Sequence, residues 1–257
     1  MKTKTLGFIG AGRITRILLQ AFKNKKKSFD KIAVHDLNPD TAANLQKQFP
    51  SIIVSVLEQA ASQDIVVIAL HPPVILETLE KIKPFVSGDT TLLSLAPKIN
   101  MEKISQRLGK ATRIVRLIPN ATSIINEGYN PVCFSSGIPS EEKQMLMQLL
   151  ETMGNTFEVE ESKLEAYAVV SAMAPTYFWF QWKKLCDIGE KIGLDRDDAE
   201  HTVAQTMSAA LNTMFQSGMS WGEVNDLIPV KPIGEYEEEI GNMLDQKLVG
   251  LHKKISS

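Results

Sequence analysis

Short apolar runs alternate with amphipathic stretches through the first half of the chain. Lys2–Ile9 predicts a strand, and apolar residues at helical spacing follow it from Ile14 to Phe22. Lys31–His35 predicts a second strand, and the continuous apolar run within Asp64–Leu70 is typical of a strand buried on both faces. This alternation predicts right-handed βαβ crossovers around a mostly parallel sheet.

The remaining predicted elements divide the chain into two parts. In the first part we predict helices at 39–48, 57–61, 74–83 and 101–108, and strands at 52–54, 91–95 and 113–117. Beyond about residue 140 we predict one more strand near 156–159, and then helices at 161–192 (broken near Pro175), 195–216 and 235–254. We therefore expect an α/β domain at 1–158 and an all-helical domain at 159–257.

Composition narrows the classes of function. A chain of 257 residues with 44% hydrophobic content is long enough to bury the cores of two modest domains. Its net charge of −2 provides no broad basic field, so we expect no nucleic-acid partner. Cys133 and Cys186 lack C-x-x-C spacing, which favours a reducing cytoplasm and no metal site. Because the first strand begins near the start of the sequence, we expect no secretory signal.

The uncharged segment 166–182 is rich in aromatic residues. It is shorter than the roughly 20 apolar residues of a membrane span and contains Pro175, so we expect no membrane partner. A helix that is apolar around most of its circumference needs cover on every side. We expect a second subunit to provide part of that cover.

Two glycines connect the first strand to the first helix. Gly10 permits a sharp turn, and Gly12 lets backbone N–H groups approach a phosphate at the positive end of the helix. The third position of this G-x-G-x-x-G pattern is Thr15 instead of glycine or alanine. The residues expected to contact a dinucleotide here are Gly10, Ala11, Gly12, Arg13 and Ile14. Arg13 opposes the helix dipole unless an anion is nearby, and its alternative interpretation is an exposed side chain beside the loop.

Asp36 follows the second strand, about 20 residues after the glycine loop, where an acidic residue binds the adenosine ribose. A 2′-phosphate about 4 Å from its carboxylate would be repelled by about 4 kcal/mol at an effective dielectric constant of about 20. NAD(H) is therefore the preferred cofactor, with NADP(H) possible. Alternatively, Asp36 only begins the turn at Asn38–Pro39.

Ligands of open α/β sheets lie outside the carboxyl ends of the strands. Leu70, His71 and Pro72 follow the fourth predicted strand, and Asn120 follows the sixth. His71 is the histidine best placed to donate a proton, because imidazole titrates near neutral pH. The other histidines and the cysteines lack the spacing of metal ligands.

Several segments resemble the pyrroline-5-carboxylate reductase family, in order and in spacing. They are Gly7–Gly12, Ala69–Pro72, Arg116–Asn120, Pro175–Tyr177 and the stretch 193–206. The resemblance implies a Rossmann-type N-terminal domain, a C-terminal all-helical dimerisation domain, and a homodimer or higher oligomer whose helical domains complete each other's active sites.

The chain departs from that family at the substrate end. Met173 replaces a small residue of the family's Ser/Gly-rich segment, and Pro97-Lys98 replaces an Ala-Gly pair. The family's Ser-Pro-Gly-Gly-Thr-Thr loop falls on Pro229–Glu235, which has neither threonine. The resemblance therefore implies cofactor binding more firmly than proline formation.

The leading hypothesis is an NAD(P)-dependent oxidoreductase that transfers a hydride between nicotinamide and a small imino, keto or hydroxy acid. His71 and Asn120 would orient nicotinamide and substrate, and Lys231 would hold a substrate carboxylate or is only a surface residue. One alternative is a dimeric dinucleotide-binding sensor or scaffold without turnover. The other is a β-hydroxyacid dehydrogenase, which Val34–Pro39 resembles, but 166–182 has no lysine to match that family's catalytic lysine.

Overall fold

One mixed sheet organises the first two thirds of the chain. The computed structural model describes residues 4–109 and 113–256. Its strands are β1 (Thr5–Ile9), β2 (Lys31–His35), β3 (Ile53–Val54), β4 (Ile65–Ile68), β5 (Thr91–Ser94), β6 (Arg113–Leu117), β7 (Gly128–Phe134) and β8 (Gly154–Glu158). Their order in the sheet is β3-β2-β1-β4-β5-β6-β7-β8, and β1 to β6 are parallel. The α/β prediction is confirmed, although the predicted start at Lys2 lies outside the described residues.

Helices connect the strands and form the second part of the chain. They are α1 (Arg13–Asn24), α2 (Pro39–Gln48), α3 (Leu57–Ala61), α4 (Pro72–Ile82), α5 (Met101–Leu108), α6 (Ser140–Leu150), α7 (Leu164–Tyr167), α8 (Pro175–Lys191), α9 (Arg196–Gln216), α10 (Trp221–Asp226), α11 (Glu237–Leu244) and α12 (Gly250–Ile255). Side-chain caps begin several of them. Asn38 accepts from the backbone N–H of Asp40, and Asp195 accepts from that of Asp198.

Strand β7 was not predicted. It runs antiparallel to β6 and parallel to β8, so β7 and β8 run opposite to the six strands before them. Gly128, Asn130 and Pro131 give this segment a low intrinsic preference for a strand. Tertiary pairing overrides that preference: a Cβ on Gly154 would lie 2.3 Å from the nitrogen of Gly128, so the two backbones meet where no side chain fits.

The predicted helix at 161–192 is divided into four pieces. A 3-10 turn (Glu161–Lys163) leads into α7, a π-helix (Ala168–Ala172) follows, and α8 begins at Pro175. Proline lacks the N–H that an uninterrupted helix would need at this point, so the break near Pro175 is confirmed. Helices α6 and α10 were not predicted as separate elements.

Two apolar layers cover the faces of the sheet. One contains Phe8, Leu18 and Val67, and the other contains Ile68, Ile75 and Ile114. Neighbouring residues Val67 and Ile68 of β4 enter opposite layers because successive side chains of a strand point to opposite faces. The continuous apolar run in this strand therefore has the burial on both faces that its sequence predicts.

The described residues form two compact units. One runs to Met173 and includes the segment from Leu251 onward, and the other is Ala174–Gly250. The predicted boundary at 158/159 falls before the end of the first unit, because Leu164 and Ala168 pack against Ile118 after β6. In the second unit α8 packs on α9, where Gly189 permits close approach to Ala199.

The second unit exposes many large apolar side chains, among them Phe180, Phe215 and Trp221. Within the described part of the chain, the helices are too short or too polar to cross a bilayer.

Candidate functional site

The glycine loop between β1 and α1 has the conformation that its residues predict. Gly10 has a φ of +104°, and a Cβ there would lie 2.4 Å from the carbonyl oxygen of Ala69. Its N–H donates to the carbonyl of His35 at 2.7 Å. A Cβ on Gly12 would meet nothing within 4 Å, so the space in front of this residue is open at the N-terminus of α1. This open approach fits a phosphate group.

Thr15 has a specific place in the loop. Its hydroxyl donates to the carbonyl of Gly10 at 2.6 Å, and its side chain is 0% exposed. The hydroxyl therefore ties the first turn of α1 back to the loop, which glycine or alanine could not do. The signal available in the sequence was a hydroxyl residue able to reach a nearby backbone carbonyl.

Asp36, directly after β2, is hydrogen-bonded to the same loop. One carboxylate oxygen accepts from the N–H of Ala11 at 2.7 Å, and the other accepts from the N–H of Asn38 at 2.8 Å. Asp36 thus contacts the glycine loop and also begins the turn before α2. Each carboxylate oxygen has further acceptor capacity, so a ribose hydroxyl can still bind.

A cavity of about 360 Å³ lies at the carboxyl ends of β1, β4, β5 and β6. The predicted residues that line it are Gly12, Arg13, Ile14, Leu70, His71 and Pro72. Apolar segments 95–97, 118–119 and 168–173 contribute most of its other walls. A largely apolar space with a few polar groups is typical of a small-molecule site.

The side chain of His71 is exposed and lines this cavity. It precedes the first turn of α4, yet its side chain makes no capping hydrogen bond. Pro72 and Pro73 begin the helix without needing N–H partners. The imidazole is therefore exposed at the cavity and does not cap the helix.

Asn120 and Lys231 both make hydrogen bonds within their own units. Asn120 is absent from the residues that line the cavity; its buried amide donates to the carbonyl of Ser171 at 3.0 Å and accepts from the N–H of Thr122 at 3.0 Å. It caps the 3-10 turn Ala121–Ile125, and its contact with nicotinamide or substrate stays a prediction. Lys231 is in the second unit, where its ammonium donates to Asn225 at 2.7 Å.

Sequence reasoning missed a buried cluster beneath the cavity. Arg116 is 1% exposed, and its guanidinium binds Glu161 at 2.8 Å and Glu165 at 2.6 Å. The available signal was an arginine between the apolar residues Val115 and Leu117, near the carboxyl end of the strand. Because a buried charge requires a partner, such an arginine predicts a buried carboxylate.

A second cavity, of about 370 Å³, lies on the other side of the glycine loop, between α1 and α2. Arg13 and Arg16 line it together with the polar residues Thr41, Asn44 and Gln48. No group of three or more metal-binding side chains comes together in residues 4–109 and 113–256.

Two family models match the chain. Residues 5–98 match the family described as "NADP oxidoreductase coenzyme F420-dependent", and residues 161–231 match "Pyrroline-5-carboxylate reductase dimerisation". The first match contains the glycine loop and His71, and the second contains α7 to α10.

Relatives match over most of their length. Pyrroline-5-carboxylate reductase of Pseudomonas aeruginosa is 24% identical over 242 residues, which cover 93% of this chain and 88% of that protein. The Escherichia coli enzyme of the same name is 23% identical over 227 residues, covering 88% and 84%.

Solved structures share the fold. Pyrroline carboxylate reductase of Plasmodium falciparum with NADP bound has a TM-score of 0.81 at 23% identity, covering 100% of this chain and 97% of that one. The Streptococcus pyogenes 1-pyrroline-5-carboxylate reductase has a TM-score of 0.83 at 18% identity, covering 100% and 99%. These matches support the assignment of the chain to the pyrroline-5-carboxylate reductase family, as an NAD(P)-dependent oxidoreductase.

Proposed function

We propose that this protein is a homodimeric, NADH-preferring reductase of a small cyclic imine. The observation that carries the proposal is one cavity, at the carboxyl edge of the sheet, that joins the glycine loop to an apolar space beside His71. Imines are favoured over ketones and hydroxy acids because the relatives are named for a pyrroline, which contains a C=N bond.

The residues present fit a dinucleotide. Gly12 and Arg13 would hold the pyrophosphate at the N-terminus of α1, and Asp36 would accept a hydrogen bond from the adenosine ribose. Leu70 and Pro72 line the same cavity with Ile118 and are expected to pack near the nicotinamide. When bound, the reduced nicotinamide supplies a hydride equivalent and becomes NAD⁺.

His71 would supply the proton that the reaction consumes. As the imine carbon gains a C–H bond, the π electrons of the C=N bond move to nitrogen, which then needs a proton to become the amine. Among the described residues that line the cavity, His71 has the side chain that enzymes use most often as a general acid. The apolar walls keep water away from the reacting atoms.

The preference for NADH is part of the proposal. The carboxylate of Asp36 lies at the loop where the adenosine ribose is expected, and a 2′-phosphate about 4 Å away would be repelled by about 4 kcal/mol before screening at an effective dielectric constant of about 20. Arg13 and Arg16 line the neighbouring cavity, and their positive charges would favour NADPH by attracting its 2′-phosphate. Measured affinities for the two cofactors decide which charge prevails.

The homodimer is proposed from the second unit. Its exposed side chains include Phe180, Phe215 and Trp221, more apolar surface than a monomer leaves open. The match to a dimerisation model covers α8 to α10 of this unit. The proposal also retains a cytoplasmic location, since Cys133 and Cys186 are both free.

The direct test combines cofactor binding with turnover. Purified protein is titrated with NADH and NADPH, and oxidation of the reduced cofactor is followed with 1-pyrroline-5-carboxylate, with cyclic imines lacking the carboxylate, and with keto acids. We expect tighter binding of NADH and proline formation well above background. His71→Phe should bind NADH normally and lose about 10²- to 10⁴-fold in turnover, whereas His71→Asn, which retains an N–H donor, should lose less.

Other outcomes separate the alternatives. Saturable NADH binding without turnover of any substrate favours the sensor or scaffold, and oxidation of hydroxy acids favours a β-hydroxyacid dehydrogenase. Tighter binding of NADPH would overturn the interpretation of Asp36. The role of Lys231 stays a prediction: Lys231→Met should raise the KM for the carboxylated imine and leave that for the uncharged imine unchanged.

A further inference from the structure

The buried guanidinium of Arg116 is bonded to two segments of the first unit. Its two terminal nitrogens donate to Glu161 at 2.8 Å and to Glu165 at 2.6 Å. The nitrogen that binds Glu165 also lies 3.4 Å from the carbonyl oxygen of Ala96. Because a buried charge is stable only when it is paired, Arg116 fixes the positions of both carboxylates.

Each of these carboxylates also holds a backbone N–H group in the loop after β5. The Glu165 oxygen that binds Arg116 accepts from the N–H of Lys98 at 3.1 Å. The corresponding oxygen of Glu161 accepts from the N–H of Met101 at 2.7 Å, at the start of α5. The loop from Ala96 to Met101 is thus attached to Arg116 through two carboxylates.

Lys98 adopts a conformation that L residues rarely occupy. Its φ is +78°, in the left-handed region that favours glycine. A lysine persists there only when its surroundings impose the conformation. The N–H of Lys98 donates to Glu165, a buried carboxylate that is itself held by Arg116.

Glu165 lies between two walls of the cavity. Ala96 and Pro97, directly before Lys98, line one part of it, and Ala168 and Met173, which follow Glu165 in the chain, line another. A carboxylate of the helical segment therefore connects that segment to the loop.

We propose that Glu165, held by Arg116, is a positioning residue for the cofactor cavity: it keeps the turn at Lys98 left-handed and so sets the separation between the β5 loop and the segment 168–173. The inference rests on the proposed function, since it assigns this spacing to the nicotinamide half of the cofactor. It does not depend on the identity of the substrate.

The test uses variants of the full-length protein. Glu165→Gln keeps the shape of the side chain, but its amide cannot accept from both Arg116 and Lys98 with the strength of a carboxylate. We expect the dissociation constant for NADH to rise about tenfold, and amide exchange in residues 96–101 of the cofactor-free protein to accelerate. Glu165→Asp keeps the charge beside Arg116 and should show a smaller change of the same kind, which provides a readout if Glu165→Gln folds poorly.

Substitutions at Lys98 distinguish positioning from general stability. Glycine occupies the left-handed region without strain, whereas alanine does not. In the Glu165→Gln background, Lys98→Gly should therefore recover NADH affinity at least threefold, and Lys98→Ala should recover none. Equal recovery by both would show that the lysine side chain, and not the turn, limits binding, and would overturn the proposal.

Glu161→Gln is the matched control. It removes the same charge from the same guanidinium, but its loop contact is to Met101, which lies outside the cavity wall. We expect less than a threefold change in NADH affinity. An equal loss in both variants, or unchanged exchange in Glu165→Gln, would overturn the proposal. If the wild-type protein binds neither NADH nor NADPH, the proposed function fails, and faster loop exchange confined to the Glu165 variants alone decides whether Glu165 holds the loop.

Discussion

Replacing Thr15 with valine removes one buried hydroxyl and keeps the β-branched shape of the side chain. In the wild type this hydroxyl donates to the carbonyl of Gly10 at 2.6 Å in a fully buried position. Valine leaves that carbonyl without its donor, and an unsatisfied buried polar group costs about 1–3 kcal/mol. We therefore expect the free energy of unfolding to fall by about 2 kcal/mol.

The assay compares Thr15→Val with Thr15→Ser by urea and thermal unfolding. For a chain of this size, a loss of about 2 kcal/mol lowers the Tm by roughly 4–8 °C. Serine keeps the hydroxyl and loses one methyl group, which costs about 1 kcal/mol. Because the same bond orders the glycine loop, NADH affinity should also fall more for valine than for serine.

The order of stability of the two variants shows whether Thr15 acts through its hydroxyl or only through its volume. If Thr15 only filled space, valine would be the better substitute, since it matches the volume and adds apolar burial. A Thr15→Val protein that is more stable than Thr15→Ser would therefore refute the reasoning.

Two further predictions concern the glycine loop and a thiol. Gly10→Ala should unfold at a markedly lower temperature, because its positive φ and a neighbouring carbonyl exclude a Cβ, whereas Gly12→Ala should unfold like the wild type and lose NADH affinity. Equal Tm losses would contradict this contrast. Burial raises the pKa of the Cys133 thiol, so in a Cys186→Ser variant iodoacetamide should alkylate Cys133 more slowly than a cysteine peptide at pH 8, and faster as the pH rises towards 10. A rate at pH 8 equal to that of the peptide would be evidence against the shift.

Elements that depend on local pattern were predictable. Met101–Leu108 and Arg113–Leu117 have the predicted bounds, because helical spacing and a short apolar strand determine them within a few residues. The positions of Gly10 and His71 at the carboxyl edge of the sheet were likewise predictable, since each follows the end of a strand within a few residues.

Elements that depend on distant partners were not predictable. The strand containing Pro131 forms because β6 and β8 pair with it on either side, not because its residues favour a strand. The hydrogen bond from the Asn120 amide to the carbonyl of Ser171, 51 residues later in the chain, has no signal in the local pattern. The partners of Arg116 lie 45 and 49 residues away, a separation about which periodicity carries no information.

The ion pairs of Arg116 determine where this protein can be divided. A fragment that ends at residue 158 would retain the guanidinium of β6 and discard Glu161 and Glu165. Removing the partners of a buried charge costs about 3–5 kcal/mol, a large share of the about 5–15 kcal/mol that stabilises a typical domain. An independently folding nucleotide-binding fragment must therefore extend to Met173. The helical unit Ala174–Gly250 is thus inserted into the first unit. The residues from Leu251 onward belong to the first unit again, and Ile255 packs against the apolar cluster that contains Ile118. A recombinant version of this half requires two segments of the gene joined by a linker, not a single truncation.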